Sequence, residues 1–207
     1  MKRKNNYIMP ILIILLYFLV EFIINFLFIK WLGGYDNQIN YDLSIICSRL
    51  IVAGLFFVTI MISNKKVSDY IGFKGISSKK IFLYFVASIL YSYAIVLISN
   101  DIFECAFHLS NKYDYYLISA ILVAPLYEEI FKKIIPIEFL LKKNISPIFI
   151  TLFISFLFSI NHLPSLEQMC YTFFLTIITS LIYLKERNYL YPIIFHLIYN
   201  FIVLCVY

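Results

Sequence analysis

Val123–Pro136 reads VAPLYEEIFKKIIP, and the rest of the chain has to be explained around it. Glu128, Glu129, Lys132 and Lys133 occupy four of six consecutive positions in an otherwise apolar run. An ionised group in hydrocarbon costs several kcal/mol by most estimates, so apolar spans ordinarily exclude charge. Four such groups need partners, water or a chemical task. The stretch therefore reads as an interior helix of a membrane bundle whose carboxylates are candidate catalytic groups.

The composition supports that setting. Of 207 residues, 62% are hydrophobic and 14% charged, against about half and about a quarter in a soluble domain. The apolar residues come in runs of about 18 or more, the length a bilayer-crossing helix requires. The expectation is an all-α fold: a polytopic transmembrane helix bundle of about seven spans, forming a single integral membrane domain over residues 1–207. Met1-Lys2-Arg3-Lys4 precedes an apolar run from Tyr7 to Ile29. That run is too long for a signal peptide and no small-residue cleavage site follows it, so it reads as a retained span. The net charge of +5 sits in short loops and does not argue for nucleic acid. Cys47, Cys105, Cys170 and Cys205 form no CxxC pair, and three of them fall in apolar spans, where cysteine acts as a small hydrophobe. The heavy use of Ile, Phe, Tyr, Asn and Lys fits a low-GC bacterial genome, and the location read is the cell membrane.

The spans fall at about 7–29, 43–63, 81–100, 116–141, 147–162, 167–184 and 189–207. Leu163-Pro164 breaks the chain after the fifth. Lys and Arg should gather in alternate, cytoplasmic loops. They do so at Lys2/Arg3/Lys4, in the lysine-rich loop 64–80 with its IGFKGISS turn, at Lys142/Lys143 and at Lys185/Arg187. The intervening loops hold only Lys30 and Lys112. This places the N-terminus in the cytoplasm. Tyr70, Ile71 and Phe73 suggest a short interfacial segment in the basic loop.

Polar residues inside the spans stand out. Glu21 and Arg49 lie at similar depths, taking about 1.5 Å of rise per residue, and are expected to pair. Glu128 and Glu129 are adjacent and point about 100° apart. Phe158 and His162 share a helix face, as do His196 and Asn200. His108 falls in an outer loop and is given no role. A carboxylate in an apolar surround is a better proton acceptor near neutral pH, and with a histidine it can hold and deprotonate water. A second histidine and an amide NH₂ can donate to the oxyanion that develops on a scissile carbonyl. Acid, His and His are also plausible zinc ligands, here Glu128, His162 and His196. The sequence does not separate metal-free from metal-bound water, and it has no HExxH. Depth leaves a shortfall: His196 lies nearer the cytoplasmic end of its span than Glu128 does of its own, which requires tilt or an early start of span 7.

Glu128-Glu129-x-x-x-Lys133, Phe158-x-x-x-His162 and His196-x-x-x-Asn200 resemble the three motifs of the CAAX protease and bacteriocin-processing (CPBP, or Abi) family. That family includes Rce1-type prenyl endopeptidases and lysostaphin-resistance-like proteins. The resemblance covers about residues 120–204. It implies an intramembrane endopeptidase with Glu128 as general base, His162 helping to bind the water, and His196 and Asn200 as the oxyanion site. Glu129, Lys133 and Phe158 are then supporting. No cofactor is required if the glutamate is the base, while the family's frequent metalloprotease label implies zinc. The family's arginine is Lys133 here, which keeps the charge and can pair with Glu129 at i,i+4 but cannot make a planar fork.

The function expected is hydrolysis of a peptide bond in a membrane-associated peptide or protein. Two other readings stand beside it. One is a non-catalytic membrane scaffold or bacteriocin self-immunity protein that uses the same cavity. The other is a small transporter with a proton relay, against which the absence of an inverted repeat argues.

Overall fold

The computed structural model describes residues 7–33, 38–62, 71–98, 119–163 and 165–206. Among them are seven helices: α1 (Ile8–Trp31), α2 (Gln38–Ile62), α3 (Ser78–Ile98), α4 (119–141), α5 (Pro147–Ile160), α6 (Leu166–Glu186) and α7 (Leu190–Val206). The fold is all-α, and each anticipated span is helical over its described residues. α1, α3 and α6 are long and apolar enough to cross a membrane, and α2, α5 and α7 carry shorter apolar stretches. Lys2, Arg3, Lys4, Lys65, Lys66, Tyr70, Cys105, His108, Lys112 and Pro164 lie outside the described residues.

Local chemistry sets the helix ends. Ser146 and Ser165 cap α5 and α6, accepting from the N–H groups of Phe149 and Gln168 at 3.2 Å each. Pro147, at the first position of α5, has no N–H to leave unsatisfied there. α6 stops at Arg187, whose φ of 52° is left-handed.

α4 is not a uniform helix. Ser119–Val123 and Glu128–Ile134 are wound in wide i→i+5 turns, and Ala124–Tyr127 and Ile135–Leu141 in ordinary α turns. Pro125 and Pro136 have no N–H to give the preceding turn, so regular i→i−4 bonding is interrupted twice. Wide turns of this kind are frequent at functional sites.

α4 is also the hub. It touches α1, α2, α5, α6 and α7, while α1 packs on α2, α3 on α7, and α6 on both α5 and α7. Its buried Ile134, Ile137 and Leu140 meet Ile150 and Ile154 of α5 and Tyr183 of α6. Its other end joins the cluster of Tyr127, Phe131 and Val52. Small hydroxyl residues let helices approach closely. Ser88 and Ser92 of α3 are fully buried, and Ser88 Oγ donates to the Phe195 carbonyl of α7 at 2.6 Å.

At the basic end, residues 71–77 are clasped to the turn between α6 and α7. Lys74 N–H donates to the Arg187 carbonyl at 3.0 Å. Asn188 Nδ2 donates to the Lys74 and Gly75 carbonyls at 2.8 and 2.9 Å. Tyr183 hydroxyl accepts from Gly72 N–H at 2.9 Å and donates to Glu138 at 2.6 Å. Glu138 is held in turn by Arg187. The IGFKGIS turn is thus part of the packed end of the bundle. Ile71 adjoins the core, and Phe73 leans on Tyr189 with ring centroids 5.4 Å apart.

Candidate active site

The wide turns of α4 fan its charges towards different neighbours. Glu128 faces α2, where Arg49 Nη2 donates to its Oε1 at 2.8 Å. Glu129 faces α6 and α7. Its Oε1 bonds Lys133 Nζ one turn on and His196 Nδ1 at 2.8 Å. Lys132 turns towards α1 and lies 3.1 Å from Glu21 Oε1, an ion pair without hydrogen-bond alignment. All of these groups except Arg49 are buried outright, and Arg49 is nearly so.

The expected Glu21–Arg49 pair does not form. Depth along the helix is one coordinate, and it was matched. Which side of α4 each helix faces is a second coordinate that depth cannot supply. Glu21 meets Lys132 instead, and Arg49 meets Glu128. Arg49 is a site residue that the sequence reading put elsewhere, and the available signal was the charge count. Glu21, Glu128 and Glu129 balance Arg49, Lys132 and Lys133, so every cation on α4 and α2 needed an acid. α1 and α2 are also zipped beside this point by Ser48 Oγ donating to Asn25 Oδ1.

Lys133 is held from three sides. It pairs with Glu129, donates to Thr179 Oγ1 of α6 at 3.3 Å, and lies 4.4 Å from the centre of the Phe158 ring. Phe158 therefore ties the second motif to the first through a cation–π contact. His162 follows in the turn after α5, half-buried, with its ring tilted against Phe158 at 5.4 Å. It lies within electrostatic range of Glu128, but no hydrogen bond joins the two.

His196 lies between the two glutamates. Nδ1 is bonded to Glu129, and Nε2 is 3.9 Å from Glu128 Oε2. Asn200, one turn on, donates from Nδ2 to the Ala120 carbonyl at 2.9 Å. Pro125 lies five residues after Ala120 and has no N–H to close a wide turn on that carbonyl, so the amide takes the place of the missing donor. The wide turns also account for a small part of the depth shortfall between α7 and α4. An i→i+5 turn contains more residues than an α turn, so α4 climbs less per residue and its glutamates lie closer to the level of His196.

Among the described residues, no three His, Cys, Asp or Glu side chains converge to hold a metal ion. Glu128 Oε1 is taken by Arg49 and His196 Nδ1 by Glu129, which leaves Glu128 Oε2 and His196 Nε2 facing each other at 3.9 Å. Cys47 and Cys170 are free thiols and play no part here.

Comparison with known proteins places this geometry. A family model described as type II CAAX prenyl endopeptidase Rce1-like matches residues 110–202. All three motifs lie within that span, so the match falls on the part of the chain whose motifs resemble the CPBP family. Neither a curated protein nor a solved structure matches the chain.

Proposed function

We propose that this chain, Rce1-like over residues 110–202, is an intramembrane endopeptidase that cleaves a membrane-associated peptide or protein. The observation that carries the reading is His196 seated between Glu129 and Glu128. A neutral imidazole bonded through Nδ1 to a carboxylate keeps its proton there, which leaves the Nε2 lone pair facing Glu128. A water bridging Nε2 and Glu128 Oε2 gives one hydrogen to each and turns its own lone pair outward. Glu128 takes the proton through Oε2 as the water attacks the scissile carbonyl, then returns it to the departing amine. His162 supports the water from the α5 side.

Asn200 retains a second Nδ2 hydrogen beyond the one given to Ala120, and that hydrogen is assigned to the oxyanion. His196 accepts at Nε2 in this tautomer and holds the water, which leaves the oxyanion to Asn200. Glu129 fixes that tautomer, Lys133 holds Glu129, and Phe158 covers Lys133. No step is routed through a metal.

The competing reading is a binding scaffold or self-immunity protein that uses the same cavity. It draws on the pairing of every buried acid of the cluster with a cation.

The test is reconstitution into liposomes with two quenched peptides, one bearing a prenylated cysteine near its C-terminus and one without the prenyl group. Wild type is expected to cleave at least one. Glu128→Ala and His162→Ala should each lower the rate by roughly 100-fold or more, as a lost base or water ligand does. Cleavage that survives both changes would sink the mechanism. A chelator series on the same preparation separates a glutamate base from a metal-bound water, and the glutamate base requires cleavage to persist.

A further inference from the structure

Glu21 and Arg49 lie on α1 and α2, outside the Rce1-like span 110–202, yet both enter its charge cluster. The buried charges around α4 admit two complete pairings. In one, Glu21 takes Arg49 and Glu128 takes Lys132, so that the α1–α2 hairpin and α4 each satisfy their own charges. In the other, the partners cross. Lys133–Glu129 is common to both.

The uncrossed pairing is the one local chemistry favours. Glu128 and Lys132 stand at i,i+4 with the acid first, the preferred helical orientation. An ammonium on a four-carbon stem has three rotatable donors. Seated on Glu128, it would cover the oxygen that faces His196. The structure has the crossed pairing. Lys132 Nζ is 3.1 Å from Glu21, and no ion pair joins it to Glu128 among the described residues. Arg49 holds only Oε1 of Glu128, which leaves Oε2 turned to His196 Nε2 at 3.9 Å. Arg49 is itself kept in place by its contact with the Tyr127 ring, 5.5 Å from the centroid.

We infer that Glu21 and Arg49 are positioning residues of the proposed hydrolytic site: Glu21 withholds Lys132 from Glu128, and Arg49 orients the carboxylate by one oxygen. The inference rests on the endopeptidase reading but has its own failure mode. It makes the two halves of one ion pair unequal. Glu21→Gln releases Lys132 onto Glu128. Lys132→Met breaks the same pair but removes the competitor.

Full-length protein in liposomes is assayed with the two peptides above, and each variant is checked for thermal midpoint and monodispersity. Glu21→Gln is expected to lower kcat roughly 100-fold, as masking a general base does, with KM within about twofold. Lys132→Met should stay within about threefold of wild type, and Glu21→Gln/Lys132→Met should return to the level of Lys132→Met. Arg49→Met should lower kcat, with partial recovery in Arg49→Lys. Equal losses in Glu21→Gln and Lys132→Met would overturn the inference and leave a structural ion pair, with the endopeptidase reading intact.

Should wild type cleave neither peptide, the endopeptidase reading falls. Double-mutant cycles on the thermal midpoint then decide the pairing. Coupling between 21 and 132 and between 49 and 128 supports the crossed arrangement. Coupling between 21 and 49 overturns it. The same cycles decide the matter if a single variant fails to accumulate.

Discussion

Lys133 stands where the related family carries arginine, and its surroundings explain how a lysine suffices. Glu129, Thr179 and the Phe158 ring approach its ammonium from three directions. Three rotatable donors suit three separate partners better than a planar fork does. Lys133→Arg is therefore expected to bring no gain in kcat, and a gain would show that the lysine leaves a working site loose. Lys133→Met is a harsher change. It leaves Glu129 buried with only His196, and removing one partner of a buried pair costs about 3–5 kcal/mol. Its signature is lost accumulation and a lower thermal midpoint in detergent. The Glu129–Lys133 pair was legible in the sequence because i,i+4 spacing on one helix fixes both depth and direction. Glu128–Arg49 and Glu21–Lys132 were not, because each joins two helices whose relative rotation no spacing encodes. His196 was legible as a site residue. That it binds Glu129 through Nδ1, and so accepts rather than donates towards Glu128 at rest, depends on which helix carries the neighbouring carboxylate.

At the scale of the element, α4 departs from what apolar runs can reveal. The seven helices were legible from length and loop charge, since a chain in an apolar solvent has few other ways to satisfy its backbone. The wide turns were not, although Pro125 and Pro136 mark where regular bonding must fail. Those turns give the motif its reach by sending Glu128, Glu129 and Lys132 to α2, α7 and α1. They also leave the Ala120 carbonyl in need of a donor, which Asn200 supplies at 2.9 Å. Asn200→Leu should thus do two things. It removes the proposed oxyanion donor, and it strips a helix carbonyl of its partner at a cost of about 1–3 kcal/mol. Adding Pro125→Ala restores an N–H within the turn. The expected outcome is recovery of the thermal midpoint in the double variant without recovery of cleavage. Cleavage that recovered along with stability would reduce Asn200 to a structural role.

At the scale of the whole molecule, the basic end of the bundle is held by the clasp between residues 71–77 and the α6–α7 turn. The sequence marked IGFKGISS as a turn with interfacial character, which locates it but does not say what it grips. Its grip depends on close approach at one glycine. A Cβ built on Gly72 would lie 2.8 Å from the Tyr183 hydroxyl and 3.2 Å from the Arg187 carbonyl, whereas one on Gly75 would meet nothing within 4 Å. The Tyr183 hydroxyl cannot simply move aside, since it also donates to Glu138, which Arg187 holds. Arg187 cannot easily move either, because its backbone is already left-handed at the end of α6. Gly72→Ala should therefore cost about 1–3 kcal/mol, the range for overpacking a filled site, and Gly75→Ala should be close to neutral. Thermal melts of the two variants in the same detergent measure the difference. The clasp joins α6 and α7 to the segment entering α3, and α7 carries His196. Loosening it should lower the affinity for peptide or the rate even though Gly72 touches no site residue, so the Gly72→Ala protein should be slower than Gly75→Ala at a temperature where both remain folded. Equal melts and equal rates would show that the end of the bundle is joined by the helices alone.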